Sequence, residues 1–220
     1  GRGGGPFAAA ATMTAPVPGQ SFTVQARLAN RGGVPIQIAG PGQGIELRAA
    51  PGFSIAPAQP GGPAAAGAGA PQAGPAMLNR QQTTVSSFTV AVASDAPIST
   101  KPYFSRSAFT ENRYTLADPS AFGRPFAPAP LVAVARYAVA GVPVEISEVV
   151  KRREPNLPYG NVIREVRTVP RIALTVSPTT AVIPLASTTR SVDLDVAVVQ
   201  IASAPTTGQV TLTLPAGWTS

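Results

Sequence analysis

The chain has 220 residues, 44% of them hydrophobic and 12% charged, and its net charge of +7 comes from arginine far more than lysine. That length suits one large or two small domains with buried cores, and that composition argues against disorder. Cysteine and histidine are both absent, which excludes a disulfide framework, a Ser-His-Asp triad, a Cys-His dyad and an ordinary zinc site.

Residues 1–19 are rich in Gly, Ala and Pro and read as a flexible or docked arm. The first β-sandwich domain is expected over 20–100. Its opening strand is Ser21–Ala29, where Phe22, Val24, Ala26 and Leu28 alternate with Ser21, Thr23, Gln25 and Arg27, the period of a half-buried strand. Asn30-Arg31-Gly32-Gly33 supplies turn chemistry after it. Short strands follow at Val34–Ala39 and Ile45–Ala49, and Pro51-Gly52 turns into Phe53-Ser54-Ile55. Residues 56–76, APAQPGGPAAAGAGAPQAGPA, contain nothing able to fill a core and read as a disordered surface loop. Thr84–Val92 resumes the sheet.

Residues 101–130 hold six of the thirteen aromatics: Tyr103, Phe104, Phe109, Tyr114, Phe122 and Phe126. Five prolines (Pro102, Pro119, Pro125, Pro128, Pro130) interrupt regular structure through this stretch. It reads as an aromatic connector between two β-domains. Its aromatics either fill the crease between the domains, the reading favoured by an irregular loop with no core of its own, or present an interface for a protein partner or a sugar ring. Lys101, Arg106, Arg113 and Arg124 are placed for cation–π contacts or for pairs with Glu111 and Asp118.

A second sandwich is expected over 131–220. Leu131–Val139 and Val142–Val150 form a hairpin through Ala140-Gly141. Lys151–Gly160 reads as a polar loop, Asn161–Val169 as a strand, and Pro170 as an edge or strand start. Arg171–Ser177, Ser191–Val199 and Gln209–Leu214 alternate again. Ser191-Val-Asp-Leu ahead of Thr211-Leu-Thr-Leu-Pro-Ala-Gly-Trp repeats the pattern of Ser21-Phe-Thr-Val ahead of Ile45-Glu-Leu-Arg-Ala-Ala-Pro-Gly-Phe, as two related domains would. The fold class expected is therefore all-β, with two immunoglobulin-like β-sandwiches. The absence of an initiator Met and the close at LPAGWTS suggest a piece of a longer precursor, truncated within the second sandwich.

Chemistry-bearing constellations are sparse. Asp193 with Asp195, and Glu145 with Glu148, are the conceivable carboxylate pairs, but such spacings more often keep a strand face soluble than converge across a cleft. No Asx- and Gly-rich loop accompanies Asp193 and Asp195 to suggest calcium. Gly3-Gly4-Gly5 and Gly61-Gly62 lack the strand, helix and lysine of a phosphate loop. Lys151-Arg152-Arg153, the one basic run, is a candidate electrostatic contact. The other arginines are scattered, which argues against a nucleic-acid partner, and no run of about 20 apolar residues suggests a transmembrane segment. Neither a cofactor nor a metal is expected, and the chain reads as non-catalytic.

KPYFSR, RYTLADPSAFGRPFAPAPLVA and GVPVEISEVVKRR resemble the region downstream of the catalytic domain in large bacterial PIG-L/LmbE-like deacetylases. PGQSFTVQARLANRG and VTLTLPAGWTS are similar to the NEW3-type, immunoglobulin-like modules found in such proteins. The resemblance covers most of the chain from about Gly19, and the KPYF-to-PFAPAP block is its most specific part. That family's active site is a zinc site of histidines and aspartates in the catalytic domain, so no catalytic residue carries over to a chain without histidine. The resemblance implies a periplasmic or extracellular accessory region. One role is a structural subunit peripheral to a membrane, docking on a larger bacterial assembly such as a photosynthetic complex. The other is a carbohydrate- or envelope-binding module that retains polysaccharide for a deacetylase.

Overall fold

The computed structural model describes residues 11–38, 44–58, 76–108, 110–184, 186, 188, 191–202 and 204–220. Among them there is no α-helix. The fourteen strands, in chain order, are β1 (Ser21–Ala29), β2 (Ile36–Gln37), β3 (Gly44–Ala49), β4 (Phe53–Pro57), β5 (Met77–Leu78), β6 (Thr83–Val92), β7 (Phe104–Ser105), β8 (Thr115–Leu116), β9 (Leu131–Val139), β10 (Val142–Val149), β11 (Lys151–Pro155), β12 (Asn161–Glu165), β13 (Ile172–Ser177) and β14 (Asp195–Gln200). The chain is all-β, as its alternation predicts. It forms two compact units, Gly1–Val169 and Pro170–Ser220.

The first unit contains two main sheets. One runs β1-β6-β4; the other runs β10-β9-β2-β5, with β3 also paired to β9. The long β1/β6 ladder sets Val24 opposite Phe88 and Phe22 opposite Val90. One edge of β9 carries β10; along the other, β3 takes Leu131 to Arg136 and β2 takes Ala138 and Val139. Two aliphatic clusters join the sheets. Val24 and Val90 meet Leu131, Val150 and Val166 in the first, and Leu28 meets Ile36, Ile38, Leu78 and Ala135 in the second. Alternation thus delivers one face of each strand to a shared interior.

This pairing moves the domain boundary. Leu131–Val139, expected to open a second domain, is instead the central strand of the first unit, because its edge is the ladder partner of β3. The chain divides after Val169 rather than within 101–130. The residues just before that point are tied to distant parts of the first unit: the Val169 amide donates to the Pro16 carbonyl (3.0 Å), and the Ser99 amide to the Thr168 carbonyl (3.1 Å). The first of these bonds also docks the described end of the arm. Pro16 and Val17 are buried, and the Met13 amide donates to the Arg153 carbonyl at 2.8 Å.

Turn chemistry acts where the sequence places it. Ala140 and Gly141 both have positive φ, 49° and 81°, which matches the right-handed twist of a two-residue hairpin. Gly52 (φ +91°) lies so close to Ala96 and Pro97 that a Cβ would stand 3.0 Å from each. Several segments differ from expectation: the strands expected at Val34–Ala39 and Asn161–Val169 shorten to Ile36–Gln37 and Asn161–Glu165. Lys151–Pro155 is a strand rather than a loop, held to β12 by its ladder and by Glu154 pairing with Arg164 at 3.3 Å. Of Ser191–Val199 only Asp195–Val199 is laddered, and the strand runs on to Gln200, because β13 ends at Ser177, opposite Asp195. Gln209–Leu214 has no ladder partner among the described residues and is not a strand. Most of the 56–76 loop lies outside the described residues.

The second unit contains the antiparallel pair β13/β14. Val176 stands opposite Val196 and Leu174 opposite Val198.

Candidate functional site: an exposed aromatic surface

The 101–130 segment is built by short-range bonds rather than by a core. The Ala117 amide donates to the Tyr103 carbonyl (2.7 Å), next to the short β7/β8 ladder. Asp118 accepts from the Ser120 amide (2.9 Å) and starts a 3₁₀ turn at Pro119–Ala121, so a short polar side chain satisfies the first free amide of that turn. The Tyr103 hydroxyl donates to the Arg124 carbonyl. Ala121 and Leu131 are the buried anchors of this region. Arg167 fastens it to the first unit, donating to the Ala127 carbonyl (3.2 Å) and the Ser99 carbonyl (3.4 Å) while pairing with Glu165.

On this frame four of the aromatics face outward, and Tyr103 is half-buried. Phe122 is 80% exposed and Phe126 76%. Tyr114 and Phe104 are also exposed, and they meet edge to face with ring centroids 5.3 Å apart. Tyr103 extends the stack at 5.2 Å from Phe104, and the Arg106 guanidinium lies 5.3 Å from the centre of the Tyr114 ring. Such contacts fix ring orientation without removing the rings from water. Phe109 lies outside the described residues. The expectation that these aromatics fill a crease between sandwiches is therefore corrected at Phe122 and Phe126, since both are largely in solvent and the unit boundary is elsewhere. A cleft of about 600 Å³ opens here, lined by Lys101, Tyr103, Phe104, Phe126, Glu165 and Arg167 among others. It combines ring faces with both signs of charge.

The basic run lies apart from these rings on β11, and most of it is used internally. Lys151 pairs with Glu148, which raises the lysine pKa through that hydrogen bond. Arg152 is largely buried, pairs with Glu154 at 2.5 Å and donates to the Met13 carbonyl at 3.1 Å. Only Arg153 has no acidic partner among the described residues. As an electrostatic contact surface, the run thus reduces to one residue.

Glu145 and Glu148 do not converge. Glu145 pairs with Arg136 (2.7 Å) and Arg48 (3.4 Å), and Glu46 pairs with the same two arginines. This four-charge network on β3, β9 and β10 holds the Glu145 carboxyl below the usual glutamate value, chiefly through the Arg136 hydrogen bond. Glu148 is on the other face of β10, opposite Ala133. Strand alternation alone does not announce this network, although a hairpin turning at Ala140-Gly141 must set Arg136 opposite Glu145. Among the described residues no group of three or more acidic, His or Cys side chains gathers to hold a metal, and no helix is long and apolar enough to cross a membrane. No family model, curated protein or solved structure matches this chain.

Proposed function

We propose that this chain is a non-catalytic docking protein that binds a protein partner through the aromatic surface of residues 101–130. The observation that supports this most is the exposure of Phe122 and Phe126 on a segment whose backbone is already fixed. A monomer gains nothing by holding large rings in water, whereas pre-ordered aromatics are the residues that anchor interfaces at low entropic cost. The resemblance to the accessory region of PIG-L-like deacetylases supports an extracytoplasmic setting, periplasmic or extracellular. There the chain would act as a membrane-extrinsic structural subunit that braces a larger bacterial assembly, with a photosynthetic complex as one such host. Both units belong in this reading to immunoglobulin-like sandwiches, the first formed by its two facing sheets and the second begun by β13/β14.

Co-purification of tagged chain with membrane complexes tests the proposal. Stoichiometric association that is lost in Phe122→Ala/Phe126→Ala, with folding intact, supports it. Association that survives the double variant removes the aromatic surface from the role. A second reading is favoured by the 600 Å³ cleft, where Phe126 lies near Glu165 and Arg167, the ring-plus-polar combination that a sugar ring needs. Binding to a polysaccharide array abolished by Phe126→Ala would select the carbohydrate-binding module instead.

A further inference from the structure

The two sheets of the first unit differ in width. Among the described residues there is no strand in the facing sheet above β10, because that sheet stops at β1, which pairs only with β6. The result is a groove of about 720 Å³ lined by Phe22, Val24, Leu28, Ile45, Ala135 and Ile146 among others, with Ala11–Met13 also in its wall. Residues on the inward face of β10 stay in solvent, Val142 at 62% and Ile146 at 45%. A strand edge with no ladder partner among the described residues, and an apolar floor beneath it, are what an added strand requires.

The second unit carries the complementary object. Its β14 pairs only with β13 among the described residues, and a two-stranded ribbon alone is marginal in water. One face of that ribbon is apolar and exposed: Leu174, Val176, Val196 and Val198, continued by Leu194. The charges also match. Arg27 and Arg153 line the groove without an acidic partner, whereas Asp193 and Asp195 have no ion-pair partner among the described residues.

We infer that a second copy of this chain fills the strand position beside β1, which no described strand occupies, with its β14, so that two copies form a dimer by strand addition. In an antiparallel register that lays Leu194, Val196 and Val198 against Leu28, Ala26 and Val24, Asp195 falls opposite Arg27. The apolar face of the ribbon then covers the inward face of β10. The inference is independent of the aromatic surface, which lies on a different segment.

Sedimentation equilibrium of the full chain tests it. A reversible shift from 22.3 kDa to twice that mass with rising concentration is expected. Arg27→Asp and Asp195→Arg, both at exposed positions, should each weaken dimerisation about tenfold, and the two together should restore it, which a folding defect would not do. A monomer at every concentration overturns the inference. So does a dimer indifferent to these charge reversals, or one abolished by Phe122→Ala/Phe126→Ala.

Discussion

The interior of the first unit and its 101–130 segment invert the usual relation between side-chain size and burial. The interior is aliphatic, with Val90, Leu131 and Leu78 at 1% exposure or less. The segment holds much larger apolar rings, yet Phe122 and Phe126 are more than three-quarters exposed. Burial here follows strand alternation and ladder position, which place a side chain between two sheets. Ring size does not decide it. A large apolar group on a fixed backbone outside those sheets is a surface available for contact.

The contrast is sharpest at the core. Leu131 belongs to β9, where it joins the cluster of Val24, Val90 and Val166. Leu131→Ala should cost about 2–5 kcal/mol through lost burial and the cavity left behind, read from denaturant unfolding. A loss near zero would mean that the sheets do not share this interior. Gly52→Ala comes next. Its positive φ and the 3.0 Å approach to Ala96 and Pro97 should make the substitution cost roughly 1–3 kcal/mol, whereas Gly123→Ala, with positive φ but nothing within 4 Å, should cost less. Equal losses would show that backbone strain alone matters at these turns.

The elements legible in the sequence were those whose pattern is local. Phe22-Thr23-Val24-Gln25 alternates, and β1 and β9 fall where that alternation places them. The hairpin at Ala140-Gly141 was legible because its turn demands two residues with positive φ. Lys151–Pro155 was not, because KRREP has no apolar alternation and its ladder depends on a partner beyond the Asn156–Gly160 turn. The unit boundary was hidden for a related reason: β9 belongs with β3 through long-range pairing that periodicity cannot report. The six aromatic positions were evident as a cluster, but whether rings face inward depends on where the sheets stop.

The smallest expected effect is electrostatic and lies on the outer face of the same β9 whose other face fills the core. The Glu145 carboxyl has a lowered pKa in the folded chain, chiefly from the Arg136 hydrogen bond. A carboxyl lowered in this way adds stability that is fully present above its ordinary value of 4.5 and is lost as pH falls through the folded value. All four side chains of the network are at least one-third exposed, so the effect should be slight and weaker in salt. Titration by NMR should show the Glu145 midpoint below that of an ordinary glutamate and returning toward it in Arg136→Ala. An unchanged midpoint would place the carboxylate outside the network.

The most direct test of the difference between core and aromatic surface is a paired measurement on Phe122→Ala/Phe126→Ala. Unfolding free energy and co-purification with membrane complexes are read on the same protein. The expected result is stability within about 0.5 kcal/mol of the parent chain per substitution, as for surface changes, together with loss of association. A fall of several kcal/mol in stability would contradict it, by showing that these rings belong to the core.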